Sequence, residues 1–143
     1  MKQEDKDLLL QEMIDYKTLI KFVEKYDEEA SRVFNKLKKA DQEAKTDILH
    51  YGNCSAFERL EWDYSDEDSI SVVYYHHGYD IYETECFSIP ADILFDDKKI
   101  DQWIKSEVDK ALEKKEEQRK AKEKYQEEKE RQEYERLKEK FGI

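Results

Sequence analysis

The chain has 143 residues, which suits one domain or a small domain with helical extensions. Charged residues make up 44% of it and hydrophobic ones only 38%, so any globular core is small. Twenty-six Lys and Arg against 37 Asp and Glu leave −11, a balance that repels nucleic-acid phosphates and acidic membranes.

The charge is unevenly placed. Residues 113–140 hold ten acids and eleven bases, whereas residues 58–101 hold thirteen acids against Arg59, Lys98 and Lys99, a balance of −10. Near the N-terminus only Leu8, Leu9 and Leu10 run together, too few for a signal-peptide core or a membrane span. Two cysteines do not argue a disulfide framework, so a cytoplasmic, reducing location is expected.

From residue 9 to 48 apolar side chains recur in alternating steps of four and three: Leu9, Met13, Tyr16, Ile20, Val23, then Ala30, Phe34, Leu37, Ala44 and Ile48. Only Asp27 and Asp41 interrupt the series, and no Gly or Pro precedes Gly52. A 3.5-residue repeat keeps one stripe facing a partner helix, as in coiled coils. The pattern predicts one continuous helix over 4–51, closing at His50, Tyr51, Gly52 and Asn53, where Gly can adopt the left-handed conformation. Leu8, Leu10, Ile14, Leu19, Phe22 and Tyr26 widen its first half. Residues 8–26 should therefore meet more than one neighbour, best supplied by a second copy of the chain. A homodimer joined at Leu9, Met13, Tyr16, Ile20 and Val23 is expected.

Beyond Ser55 the period changes to two. Alternation through Leu60, Trp62 and Tyr64, and again through Ile70, Val72 and Tyr74, predicts strands around an acidic turn at Ser65, Asp66, Glu67 and Asp68. His76, His77, Gly78, Tyr79 and Asp80 read as a hairpin loop. The third strand, Ile81 to Ile89, alternates poorly because Glu83 and Glu85 share parity with Phe87 and Ile89, which suggests a bulge near Glu85 and Cys86. These segments form a three-stranded antiparallel meander over 57–89.

Pro90 suits the first turn of a short helix reaching Phe95. Asp96 or Asp97 then caps a second long helix, whose buried face is Ile100, Trp103, Ile104, Val108, Ala111 and Leu112. Past Leu112 no seam continues, and opposite charges three or four apart support an unpacked helical extension over 113–143. The fold class is α+β: long helix, meander, long charged helix. Residues 1–112 form one domain, and the second helix is expected to return antiparallel along the first.

The segment ECFSIPADILFDD at 85–97, running into Ile100, Trp103 and Ile104, resembles small proteins of unknown function from phages and prophages. The resemblance spans residues 80–140, its motif is loose, and it implies a mobile-element origin without an activity.

His50, Cys54, His76, His77 and Cys86 are the only His and Cys residues, and the His50–Cys54 spacing is one that zinc can use. Neither cysteine has the close partner usual in zinc knuckles, and packing is the simpler role for Cys86. No Gly-rich phosphate loop, nucleophile turn or His/Asp/Ser constellation is present. Neither an enzyme, a cofactor nor a metal is expected.

The acid-rich sheet is the more specific signal. Glu61, Asp63, Asp66, Glu67 and Asp68 cluster on one strand and turn, with Asp80, Glu83 and Glu85 on the neighbouring strand, among Trp62, Tyr64, Tyr74, Tyr75, Tyr79 and Tyr82. A solvated outer face over an aromatic core accounts for them. So does a recognition face for a basic protein, since dense carboxylates steer Lys/Arg surfaces and Tyr and Trp anchor interfaces. The expected function is a protein-binding module, in the form of a phage-encoded inhibitor that mimics nucleic acid before a basic partner without binding nucleic acid itself. The alternative is a scaffold or assembly protein acting through its helices.

Overall fold

A computed structural model describes residues 1–50, 54–78 and 81–142. Helix α1 (Gln3–Ala44) leads to strand β1 (Ser55–Glu61), β2 (Ser69–Gly78), β3 (Ile81–Pro90) and helix α2 (Asp97–Phe141), with single 3-10 turns at Trp62–Tyr64 and Ala91–Ile93. The strands form one antiparallel sheet in the order β1-β2-β3. The class is α+β, as the periodicities indicate.

Helix α1 passes without a break through Asp27, but it stops at Ala44, short of the expected closure at His50. Lys45 takes the left-handed conformation (φ 55°), and its amide donates to the carbonyls of Asp41 and Gln42. The Asp41 carboxylate then gathers the chain that follows. It accepts from the Thr46 hydroxyl (2.5 Å), the Ile48 amide (3.0 Å) and the Leu49 amide (3.2 Å). Those bonds turn the backbone away from the helix axis six residues early. Tyr51, Gly52 and Asn53 lie outside the described residues.

The strands face α1 on one side. Ile70, Val72, Tyr74, Leu60 and Ile89 meet Ala30, Val33, Phe34 and Leu37 of α1, and Ile100 and Ile104 of α2 close the core. Phe34 is its hub, with ring centroids 5.5 Å from Tyr74, 6.1 Å from Phe87 and 6.3 Å from Phe57. The bulge falls in β1, at Glu58 between Phe57 and Arg59, and the β2–β3 register is unbroken from Ser69–Pro90 to Gly78–Ile81. With no bulge to reset its parity, Cys86 lies opposite Val73 and is exposed, so it has no packing role. Cys54 is exposed as well.

The two helices run parallel, which corrects the antiparallel expectation. Arg32 pairs with Asp97 (2.6 Å), Lys36 with Asp101 (3.2 Å), and Lys115 Nζ donates to the Lys45 carbonyl (2.8 Å), so both chains advance together. The reason is topological. Asp27 lies beside Leu60 and Lys38 beside Ser55, so β1 runs against α1. Each of the three later connections reverses the chain again, and four reversals restore its first direction. Asp96 caps α2 by accepting from the Lys99 amide, as expected.

Parallel pairing leaves an arm at each end. The arm of α1, residues 3–25, runs past the Trp62 end of the sheet, and α2 beyond Lys115 runs past the opposite end. Every residue from Leu112 to Gly142 is exposed. The pairs Arg119–Glu116 (2.6 Å), Arg119–Glu123 and Arg136–Glu133 (2.7 Å) support that free helix from within.

Candidate functional site

The structure divides the eight acids into two groups. Glu61 lies opposite Ser71, on the sheet face turned away from the helices, and Asp63, Asp66, Glu67 and Asp68 follow it around the turn into β2. Glu85 lies opposite the buried Tyr74, on the helix side, and Glu83 lies opposite His76. From Ser71 to His76 is about 16 Å along β2, and the two groups use opposite faces. Asp80 lies outside the described residues. By register Glu83 and Glu85 therefore leave the face that carries Glu61, although Glu85 lines one cleft with Glu61, Arg59 and Val73.

Within the loop group the carboxylates differ in role. Asp66 Oδ1 accepts from the amides of Asp68 and Ser69, both at 2.8 Å. Those bonds, the Ser69 amide first, hold its carboxyl below the usual range. Asp66 thus shapes the turn. The Ser65 hydroxyl accepts from the Ser71 amide (3.0 Å) and donates to the Glu61 carbonyl (2.9 Å), and the Asp68 carbonyl takes the Ala91 amide (2.9 Å). Glu61 is offset by Arg59 at 3.4 Å. Asp63, Glu67 and Asp68 are exposed and form no ion pair among the described residues. They are the carboxylates available to a partner.

Beside them, the root of the α1 arm carries an aromatic cluster. Tyr26 packs against Phe22 (4.5 Å between centroids), Phe95 (5.1 Å) and Trp62 (5.9 Å). Phe95 adopts φ 65°, and Lys25 Nζ lies 5.5 Å from its ring centre. Phe22, Tyr26 and Trp62 line a cleft of about 440 Å³ together with Asp66, Glu67 and Ile70. Aromatic rings and carboxylates in one cleft suit a Lys or Arg side chain, which gains from both. The sequence singles out Trp62, and Phe22 and Tyr26 as part of the widened helix face, but Phe95 comes from a segment about 70 residues away and nothing local links the three segments.

The five seam residues, Leu9, Met13, Tyr16, Ile20 and Val23, all lie on the arm. From Leu8 to Phe22 nine large apolar side chains are between 38% and 63% exposed. In the second half of the same helix, Ala30, Val33, Phe34 and Leu37 are fully buried against the protein's own sheet. One repeat thus serves two environments.

Charge of the opposite sign gathers at the far end of the core, where Lys45, Lys114 and Lys115 line a cleft of about 490 Å³ with His50. Of these, Lys115 donates to the Lys45 carbonyl at the C-terminal end of α1, and Asp47 lines the same cleft. Among the described residues no three His, Cys, Asp or Glu side chains converge in a way that could hold a metal ion. Among the described residues no helix is long and apolar enough to cross a membrane. Comparison with protein-family models, curated proteins and solved structures finds no match to this chain.

Proposed function

We propose that the chain is a non-enzymatic protein-interaction module that self-associates through the α1 arm, in the manner of a scaffold or assembly protein. One observation carries this reading: among the described residues nothing outside the helix covers the apolar side chains from Leu8 to Ile20. Nine large apolar side chains from Leu8 to Phe22 are exposed by 38–63%, and a run of exposed apolar side chains of that length marks an interaction site. The test is Ile20→Asp with Val23→Asp. Both positions lie outside the core cluster, so the body should keep its fold while the contact, which would bury two charges, opens. Sedimentation equilibrium should show a dimer for the wild type and a monomer for the variant. A wild type that is monomeric at high micromolar concentration refutes the reading.

A second surface, for a basic partner such as a nucleic-acid-binding protein that an inhibitor would occupy, is favoured by the cleft that Glu67 and Asp66 line together with Phe22, Tyr26 and Trp62. Asp66 is left intact in its test, because its carboxylate holds the turn. Changing Glu61, Asp63, Glu67 and Asp68 to Gln or Asn should abolish capture of a fluorescent oligolysine peptide at low salt and leave the melting temperature unchanged. Equal capture by both proteins at low and high salt counts against this surface.

A further inference from the structure

We infer that two copies of the chain pair their α1 arms antiparallel, with residue 3 of one helix beside residue 26 of the other and the bodies at opposite ends. The inference rests on the self-association reading and adds its geometry. Three observations point the same way.

The first is charge along the arm. Residues 3–15 hold five acids and one base, −4, whereas residues 16–26 hold three bases and one acid, +2. Antiparallel pairing lays the acidic half of each arm on the basic half of its partner. Parallel pairing stacks acid on acid and base on base. Opposed helix dipoles favour the same choice.

The second is the charge of the body. Residues 27–112 hold 21 acids and 10 bases, −11. In a parallel pair both bodies begin at residue 27 of adjacent helices and would touch. In the antiparallel pair they stand apart by the length of the arm, about 36 Å at 1.5 Å per residue. That exceeds four Debye lengths of about 8 Å at physiological ionic strength, so their mutual repulsion is screened out.

The third is the seam itself. Met13 stands three residues before Tyr16, and Leu9 eleven before Ile20. With residue 3 set beside 26, Leu9 falls opposite the partner copy's residue 20, and Met13 opposite its residue 16. Each layer then joins the two alternating seam positions, as antiparallel coiled coils require. These apolar layers span residues 9–20; Val23 falls opposite the partner copy's residue 6, a lysine, and the body contacts the arm only at Phe22 and Tyr26, outside those layers.

The experiment measures orientation directly. Cys54 and Cys86 are exposed and free, so both are changed to Ser, and a nitroxide is placed at Gln3→Cys or Gln11→Cys, two exposed arm positions. Electron–electron double resonance on the dimer reads the distance between copies. Antiparallel pairing separates the two Gln3 sites by about 35 Å along the axis and the two Gln11 sites by about 10 Å. The expected result is a long distance at position 3 and a clearly shorter one at position 11. Equal short distances at both positions would mean parallel arms and overturn the inference while leaving self-association standing. No dipolar signal at either site, with a monomer in sedimentation, would remove the self-association reading itself.

Discussion

Asp41 offers a direct contest between the sequence pattern and the structure. It occupies a seam position, so Asp41→Leu completes the heptad and, on pattern alone, should strengthen the helix. In the fold its side chain is 2% exposed and holds Thr46, Ile48 and Leu49. Leucine would leave the Ile48 and Leu49 amides without an acceptor. Each stranded buried amide costs about 1–3 kcal/mol, with Leu49 nearer the upper end because it is fully buried and half-buried Ile48 nearer the lower. Adding about 1 kcal/mol for the lost hydroxyl bond, Asp41→Leu should destabilise by about 4–5 kcal/mol, a large share of the 5–15 kcal/mol typical of a domain. Asp41→Asn keeps one acceptor oxygen and should lose about 1–2 kcal/mol. The assay is urea unfolding followed by the fluorescence of Trp103, which packs on the core, because circular dichroism would be dominated by the exposed helical arms. Leucine should give a lower midpoint than asparagine, and asparagine a lower one than wild type, at equal slope. A leucine variant as stable as the wild type would refute the anchoring role and restore the seam reading.

Two further outcomes are expected. A chain ending after Leu112 should melt within a few degrees of full length, since residues 113–142 bury no apolar surface and lose only the exposed Lys115–Lys45 bond; a collapse in calorimetry would show that the tail packs. Burial, opposed by a bond from the Leu60 amide, raises the Asp27 carboxyl above 3.8, so its ionised form costs stability above the raised value and the cost disappears as pH falls to 3.8. Asp27→Asn should therefore melt higher than wild type at pH 7 and level with it at pH 3.5, and a gain that persists at the lower pH would exclude the charge as its cause.

The elements were legible where their periods are clean, but Trp62 and Tyr64, expected to continue a strand, form a 3-10 turn, and His76 to Gly78, expected in a loop, belong to β2. The change from 3.5 to 2 beyond Ser55 marks the sheet, and Asp96 marks the start of α2. What the pattern misjudged was the partner of the seam. Ala30, Phe34 and Leu37 keep the heptad phase, yet they face the strands, because a sheet and a helix accept the same apolar stripe. Asp27 and Asp41 looked like gaps in that stripe. They are its attachment points, one taking the Leu60 amide and the other the loop after Lys45. The early end of α1 was hidden because Lys45, with no glycine's freedom, takes the left-handed turn. The candidate site was half legible: the loop acids fall together as their positions in sequence suggest, but Glu83 and Glu85 depend on strand register. The missing bulge put them on the other face.

The length of the sheet explains why there is an arm at all. Strand β1 has seven residues, about 23 Å, and at 1.5 Å per residue that span covers about 15 residues of helix. The observed contact runs from Asp27 at Leu60 to Asp41 at the loop, which is 15 residues. Of the 42 residues in α1, Phe22 and Tyr26 still touch the Trp62 end of the sheet, and the residues before Phe22 lie beyond it. The same limit frees α2 after Lys115. The two overhangs are nevertheless filled differently: Leu112 to Gly142 is about two-thirds charged, with ion pairs of its own, while residues 8–23 are as apolar as the half of α1 that is buried. A helix that only needed to remain helical in water could have used the composition of the tail at both ends. The arm does not, and the apolar surface it retains is what a second copy would bury.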